Sequence, residues 1–213
     1  MAKSLKKQLR PSAPAPSTEA ARAILDVAEQ LAQTRGYNGF SYADIAAKLG
    51  VTKAGLHYHF PSKAELGRAL IARYQAVFGL ALETIDQQVA KPRQKLRRYV
   101  ELYDAVMHNG RMCLCGMLAA EYATLPAPMR EGLTLFFDMN ERWLTATLRD
   151  GRRSGSFLFK ESANERARVF LGALEGAMLL ARAYGDPRRF QVAAERVLAD
   201  LGAGRRLRQA GPV

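Results

Sequence analysis

Two cysteines, Cys113 and Cys115, are the residues of this 213-residue chain whose type and spacing best suit covalent chemistry. Arg111 precedes them, and the segment RMCLCGMLAAE predicts a helix that begins just after them. Since a nearby cation and a helix N-terminus both lower the pKa of a thiol, this arrangement predicts a reactive, redox-sensing pair. The alternative is that both cysteines are small buried hydrophobic residues.

The cysteine pair allows two further interpretations. With His108 it could supply three metal ligands, but structural zinc normally takes four at wider spacing, so no metal site is expected. The enzymatic alternative is a thiol-based oxidoreductase. Against it, two of the three histidines lie within residues 51–60, and the sequence has neither a glycine-rich phosphate loop at a strand–helix junction nor a G-x-S-x-G motif. We therefore expect a protein that is not an enzyme and needs no cofactor.

The composition favours a globular protein with an anionic partner. Hydrophobic residues make up 48% of the chain, and the formal net charge is +12. Such a charge points to a polyanion such as nucleic acid, although a membrane surface would also attract it. No apolar run approaches the roughly 18 residues that cross a bilayer, and the basic N-terminus lacks the apolar core of a secretory signal. We therefore expect a cytoplasmic protein with no membrane partner.

Helical periodicity runs through the chain without sustained alternation of period two, so the expected fold class is all-α. A first helix begins at Thr18 and ends at Gly36. After a helix-turn-helix, described next, the longer helices are predicted at 63–81, 92–109, 114–125, 128–151, 163–184 and 187–201.

The helix-turn-helix is predicted from capping signals. Ser41 opens its first helix with Asp44 as capping-box partner, and Gly50 closes it. Thr52 caps its second helix, which ends before Pro61. Four apolar residues are predicted to share a small core between these helices: Ile45, Leu49, Val51 and Leu56.

The second of these helices, within VTKAGLHYHF, has a polar and aromatic side that no core would bury. Gly55 costs roughly 1 kcal/mol in a helix interior, a cost that a close approach to another molecule would explain. In a DNA major groove, Thr52, Lys53 and Ala54 can reach base edges. The alternatives are a helix-turn-helix that never touches DNA and, for His59, a place in the core. Phosphate contacts are predicted from Tyr58, His59 and Lys63.

Residues 18 to about 75 resemble the DNA-binding domain of the TetR family of transcriptional regulators. The blocks F-S-x-x-D-I-A, L-G-V, L-x-Y-H-F and S-K-x-x-L stand in the family's order and spacing. The family usually has tyrosine where this chain has His57, so a contact there could respond to pH. The resemblance implies a dimer on double-stranded, near-palindromic operator DNA and repression relieved by a small ligand. It implies DNA contacts from Ser41, Tyr42, Thr52, Lys53, Ala54, Gly55, His57, Tyr58, His59 and Lys63.

The middle of the chain is predicted to bind the effector, because apolar helix faces there carry a few polar residues. Asn140 interrupts an apolar stripe, so it is either satisfied internally or directed towards a ligand. The cysteine segment is also similar to a TetR subgroup with members that respond to reactive electrophiles. The hypothesis is that modification of Cys113 lowers operator affinity. The candidate effector-binding residues are Tyr103, Met107, Cys113, Cys115, Met117, Glu121, Phe137, Asn140, Trp143 and Phe170.

These patterns predict a DNA-binding regulator, a repressor released from its operator by a small-molecule effector. The homodimer interface is predicted in residues 163–201, where Gly172 and Gly176 allow close helix approach; packing within one chain is the alternative. The expected organisation has four parts. These are a flexible basic arm (1–17), a three-helix DNA-binding domain (18–63), a helical effector and dimerisation domain (64–203) and a basic tail (204–213).

Overall fold

A computed structural model describes residues 19–202 of the chain, and these residues form helices with no β-strand. The all-α prediction is confirmed for this range. The predicted basic arm and tail, and the domain ends at 18 and 203, lie outside the described residues. The N-terminal helices are α1 (Glu19–Arg35), α2 (Tyr42–Leu49), α3 (Lys53–His59) and α4 (Lys63–Gln88). The remaining helices are α5 (Pro92–His108), α6 (Leu114–Ala120), α7 (Ala127–Arg153), α8 (Ala163–Tyr184) and α9 (Arg188–Asp200).

Local capping interactions determine where the short helices α2 and α3 begin. The Ser41 backbone N–H donates to Asp44 Oδ2 at 2.8 Å, and the Thr52 hydroxyl accepts from the Gly55 N–H at 3.2 Å. Gly50 ends α2 with φ +67°, in the left-handed region where glycine has no steric penalty. The predicted helix-turn-helix is therefore present in α2 and α3.

Three sequence expectations about packing and helix length were wrong. Val51 is 47% exposed, because the chain leaves α2 at Gly50 and turns that side chain outward. The helix predicted at 63–81 continues to Gln88, because Leu82 and Ile85 extend its buried stripe. The helix predicted at 114–125 ends at Ala120 and gives way to a short 3-10 turn at Tyr122–Thr124.

The helices share one continuous hydrophobic core, which extends from the DNA-binding region into the larger helical bundle. α1 packs against α2, α4 and α6, while α7 packs against α4, α5 and α8. The long helix α4 therefore packs against α1 in the DNA-binding region and against α5, α6 and α7 in the larger helical bundle. Since α4 begins at Lys63 and belongs to both regions, the domain boundary near residue 63 stays a prediction.

Candidate nucleic-acid interface and effector core

The exposed side of α3 carries the residues that the sequence predicted for DNA readout. Thr52, Lys53, Ala54 and Gly55 are all exposed, whereas Leu56 on the opposite side is only 1% exposed and anchors the helix. A Cβ built on Gly55 would meet no atom nearer than Thr52 Oγ1, at 3.7 Å. Packing within the chain therefore does not require glycine at this position, and the cost of glycine in a helix has no internal explanation.

The aromatic end of α3 is arranged outward from the protein. Tyr58 is 84% exposed, and its ring lies 5.2 Å from that of the half-buried His59. His57 packs closer in, with its ring 4.6 Å from the Tyr42 ring and its Nδ1 at 3.1 Å from the Pro61 carbonyl oxygen. The side chains of His57, Tyr58 and His59 thus differ in how far they extend from α3 into solvent.

Tyr42 and Lys63 each hydrogen-bond to backbone carbonyls of the chain itself. The Tyr42 hydroxyl donates to the Phe60 carbonyl at 2.7 Å, and burial, followed by the nearby Tyr37 and Glu65, raises its pKa to about 12. Lys63 Nζ donates to the carbonyls of Tyr37, at 2.6 Å, and Phe40. Burial lowers the pKa of Lys63. The DNA contacts of these two side chains stay predictions, and in this arrangement both polar groups are engaged within the protein.

Ser41 remains exposed beside these residues. Its hydroxyl donates to Asp44 Oδ2 at 2.7 Å, and this bond lowers the pKa of the Asp44 carboxyl group. Lys53, His57 and Lys63 line a shallow groove with Ser41 and Tyr42. The helix-turn-helix therefore presents one continuous surface of polar and basic groups.

Glu121 holds the loop after α1, although the sequence analysis placed it among the effector-binding residues. Its carboxylate accepts from the backbone N–H groups of Tyr37, at 2.5 Å, and Asn38, at 3.1 Å. Gly36 has φ +81°, and a Cβ there would lie 2.8 Å from Glu121 Oε1. Glu121 therefore joins the end of α6 to the DNA-binding region and is not directed into a cavity.

Several predicted effector residues do come together in a buried aromatic core. The Tyr99 ring stacks on Trp143 with centroids 5.4 Å apart, and it also contacts Tyr103 and Phe170. The Tyr99 hydroxyl donates to Asn140 Oδ1 at 2.7 Å, and Asn140 Nδ2 donates to the Phe136 carbonyl at 2.9 Å. Asn140 is thus satisfied internally, which was the first of its two interpretations.

The other predicted effector residues lie at the margins of this core. The Phe137 ring packs on Phe136, with centroids 5.5 Å apart. Met107 lines a separate small groove beside the end of α8. Met117 Sδ lies 3.3 Å from Arg182 Nη1, at the junction with α1. The sequence therefore predicted a set of residues that the fold divides among three places.

Both thiols are buried, and the prediction that their pKa values are lowered was wrong. Burial is the largest cause that raises the pKa of Cys113 and of Cys115, followed in each case by the negative charge of Glu175. The Gly116 N–H does donate to Cys113 Sγ at 3.5 Å, but this helix-terminal contact is too weak to offset burial. The thiolate form that reacts with electrophiles is therefore disfavoured.

The metal alternative is also excluded for the described residues. His108 is exposed on α5, where its Nδ1 lies 2.9 Å from the Asp104 carbonyl oxygen, while both cysteines face the core. Within residues 19–202, no group of three His, Cys, Asp or Glu side chains is placed to hold a metal ion. The same range contains no helix long and apolar enough to cross a membrane.

Glu175 on α8 is the functional candidate that sequence reasoning missed. Burial raises the pKa of its carboxyl group to about 7, although the nearby Cys113 thiol and Tyr103 hydroxyl act in the opposite direction. A Cβ on Gly116 would lie 2.2 Å from Glu175 Oε2, so glycine is needed to leave room for the carboxylate. A signal was present, because Glu175 stands between Leu174 and Ala177 in an otherwise buried apolar stripe.

A cleft of about 480 Å³ opens between α1, α4 and α5, and none of the predicted effector residues lines it. Gln33 lines it and is 2% exposed, and its Oε1 has no hydrogen-bond partner. Arg73 is held at its edge by Asp26 and Glu29, each at 2.6 Å. Tyr74 and Phe78 connect the cleft with the aromatic core behind it.

Comparison with known proteins gives consistent matches in both halves of the chain. Residues 24–70 match the family model for bacterial regulatory proteins of the tetR family, and residues 92–197 match that for the tetracyclin repressor-like C-terminal domain. The chain is 28% identical over 153 residues to the transcriptional regulator AcuR of Cereibacter sphaeroides, covering 70% of this chain and 69% of that protein.

Two solved structures of similar proteins cover nearly the same part of the chain. A TetR-family transcriptional regulator from Agrobacterium tumefaciens superposes with a TM-score of 0.83 at 32% identity, covering 86% of this chain and 97% of that one. A TetR transcriptional regulator from Legionella pneumophila gives a TM-score of 0.79 at 29% identity, covering 86% of this chain and 98% of that one.

We predict that substitutions of Lys63 and Lys53 have different effects: the first lowers stability, and the second weakens DNA binding. Lys63→Met should lower the free energy of unfolding by about 1–3 kcal/mol, because two backbone carbonyls lose a charged donor. Lys53→Met should change it by less than about 0.5 kcal/mol, because Lys53 is exposed, while weakening DNA binding. Urea unfolding and fluorescence anisotropy on the same two proteins check this. A Lys63→Met protein of unchanged stability would contradict the bracing role.

We predict slow alkylation of the native thiols. At pH 7.5, iodoacetamide should modify Cys113 and Cys115 more slowly than it modifies the same residues in urea, since the folded thiols are buried and protonated. Because their pKa values are raised, the rate should keep climbing by about tenfold per pH unit between pH 7 and 9. Mass spectrometry of timed samples measures it. A rate that levels off below pH 8 would show a lowered pKa instead.

Proposed function

Because this chain belongs to the TetR family of bacterial regulatory proteins, and is thus a DNA-binding transcriptional regulator rather than an enzyme, we propose that it represses transcription in the cytoplasm until a small effector releases it. As TetR-family regulators do, it binds operator DNA as a dimer. The two α3 helices enter successive major grooves of a near-palindromic site, about 34–36 Å apart.

One observation carries the DNA-binding assignment to particular residues. Gly55 lies on an exposed helix face with no atom of the chain near its missing Cβ, apart from Thr52 Oγ1 at 3.7 Å. Glycine at this position keeps the helix backbone accessible to a DNA backbone or base edge, which a side chain would hold away. The flanking Thr52, Lys53, Tyr58 and His59 then lie where base and phosphate contacts are made.

Few contacts separate the proposed effector-binding region from the DNA-binding region that carries the recognition helix. Cys113 caps the N-terminus of α6 inside the core, and Glu121 at its other end holds the loop after α1. Arg182 of α8 donates to the carbonyls of Gln33 and Thr34 at the end of α1. A ligand that displaces α6 or α8 would therefore move α1 and change the spacing of the two recognition helices.

Release requires that the effector bind one conformer better than the other. The cleft between α1, α4 and α5 supports a reversible ligand, because its walls belong both to the DNA-binding region and to the larger bundle. Modification of Cys113 by an electrophile stays a prediction, and the raised thiol pKa makes it the weaker of the two modes. A Cys113→Ser protein that is released normally by electrophiles would remove that mode.

The predicted dimer interface is supported by apolar side chains that the single chain leaves exposed. Val169 and Leu180 on α8 are 58% and 57% exposed, and Val192 on α9 is 67% exposed. A Cβ on Gly172 or Gly176 would meet no atom within 4 Å, so a second helix can approach there. α8 and α9 pack against each other within the chain, so two copies would form a four-helix interface.

We predict that Gly55→Ala raises stability while weakening DNA binding. Alanine should stabilise α3 by about 0.5–1 kcal/mol, because the helix loses a glycine and the new methyl group meets open space. The same methyl group should lower affinity for duplex DNA at least roughly tenfold, or about 1.4 kcal/mol. Urea unfolding and fluorescence anisotropy measure the two effects, with a duplex selected by this protein from genomic fragments.

Gly79→Ala on α4 is the matched control for this substitution. Its Cβ would lie 3.4 Å from Met139 Sδ, away from α3, so DNA affinity should not change. If Gly55→Ala binds DNA as tightly as the unaltered protein, the exposed side of α3 does not approach DNA as proposed. If no duplex is selected at all, the assignment of a DNA-binding role to this surface fails.

We predict that Leu180→Asp converts the dimer to a monomer of 23.5 kDa. A carboxylate on the α8 surface would be desolvated without a partner on association, which costs several kcal/mol. Leu135→Asp on α7 is the control, because Leu135 is similarly exposed at 47% but lies outside residues 163–201. Light scattering after gel filtration distinguishes the outcomes. Loss of the dimer in the control alone would move the interface to α7.

A further inference from the structure

We propose that the effector is a protonated amine, with the Glu175 carboxylate as its anchor and the aromatic core as its cage. This inference rests on the proposed effector function and names the ligand class for it. Four observations carry it: a carboxylate oxygen without a hydrogen-bond partner among residues 19–202, the tyrosines near that carboxylate, a cleft lined by Tyr74 on the side away from Glu175, and a second such acceptor in the cleft.

The carboxylate of Glu175 is buried without a cationic partner. Its Oε1 is inaccessible to solvent and has no hydrogen-bond partner within residues 19–202, although the residue as a whole is only half-buried. The Cys113 thiol and the Tyr103 hydroxyl hydrogen-bond to the carboxyl group, but both donors are neutral. An ionised carboxylate in such a place is costly unless a cation pairs with it. An ammonium group supplies both the charge and the missing donor.

Three tyrosines of the aromatic core lie near this carboxylate. Tyr74, Tyr99 and Tyr103 lie close enough to Glu175 for its charge to contribute to their raised pKa values. Tyr99 stacks on Trp143, and Phe78 contacts both Tyr99 and Tyr103 edge-on. Because the faces of such rings attract cations, the core favours a positive group over a negative one.

Tyr74 marks the route from solvent to the carboxylate. It lines the cleft between α1, α4 and α5, and on its inner side it lies against Cys113 and within the field of Glu175. A rotation of Tyr74 would therefore open the cleft towards Glu175.

The second unpartnered acceptor lies in the cleft. Gln33 Oε1 is buried there without a donor, so a ligand that enters past it would be offered two acceptors in succession. An ammonium group carries three N–H donors, which matches this pattern better than a carboxylate ligand would. Arg111 also lines the cleft and would favour an anion, and Arg73 is already paired with Asp26 and Glu29. The experiment must therefore compare the two charges directly.

The test compares three ligands of one shape: 2-phenylethylammonium, 2-phenylethanol and 3-phenylpropanoate. Thermal unfolding and isothermal titration are measured on the full chain at pH 7.5. We expect the ammonium ligand to raise Tm and to bind at least roughly tenfold more tightly than the alcohol, with no binding of the carboxylate. Glu175→Gln keeps the shape and removes the charge, and it should abolish this preference. Glu131→Gln, an exposed carboxylate on α7 outside the proposed dimer interface, should leave the preference unchanged.

The proposal is overturned if the alcohol or the carboxylate binds as well as the ammonium ligand, if none binds, or if Glu175→Gln retains the preference. Far-UV circular dichroism of the ligand-free variant confirms that it is folded. Operator release, measured by anisotropy, separates the two levels. Ammonium binding without release supports the ligand site but removes its regulatory role. DNA binding with release by another ligand class keeps the regulator and refutes the amine.

Discussion

The loop from Gly36 to Phe40 is held by two opposite charges. The position of the DNA-binding region relative to the larger helical bundle depends on these two groups. Glu121 accepts from the N–H groups of Tyr37 and Asn38, while Lys63 donates to the carbonyls of Tyr37 and Phe40. Hydrogen bonds to charged groups contribute about 1.5–3 kcal/mol each, more than most contacts across this junction. Because Glu121 follows α6 and Lys63 begins α4, the loop is hydrogen-bonded to both of these parts of the protein.

Features that depend on near neighbours could be predicted from the sequence. The Ser41–Asp44 capping box, the left-handed Gly50 and the Thr52 cap involve residues at most a few positions apart, and the structure confirms all three. Helix boundaries were predicted less well where packing outweighed local signals, as at the end of α4. The exposed face of α3 was predicted because polar and aromatic residues stand where a core would require apolar ones.

Roles that depend on distant residues could not be predicted. Lys63 and Glu121 contact loop residues 23 to 84 positions away, and no local pattern indicates such pairs. For Cys113, local reasoning considered the helix N-terminus and Arg111, but burial and Glu175 determine the direction of the pKa shift. Glu175 was itself overlooked because α8 was interpreted as an interface helix, although a carboxylate in a buried stripe was visible in the sequence.

The Glu175 carboxylate occupies the space that a side chain at position 116 would need, since a methyl group on Gly116 would lie 2.2 Å from the carboxylate oxygen. Gly36 and Glu121 form a second pair of this kind, at 2.8 Å. Across related sequences, Gly116 and Glu175 should therefore vary together, because a side chain at position 116 requires a shorter residue at position 175; at Gly36 the left-handed φ of +81° disfavours a side chain as well. Such coupled exchanges would let ligand preference diverge between relatives while the helical framework stays the same.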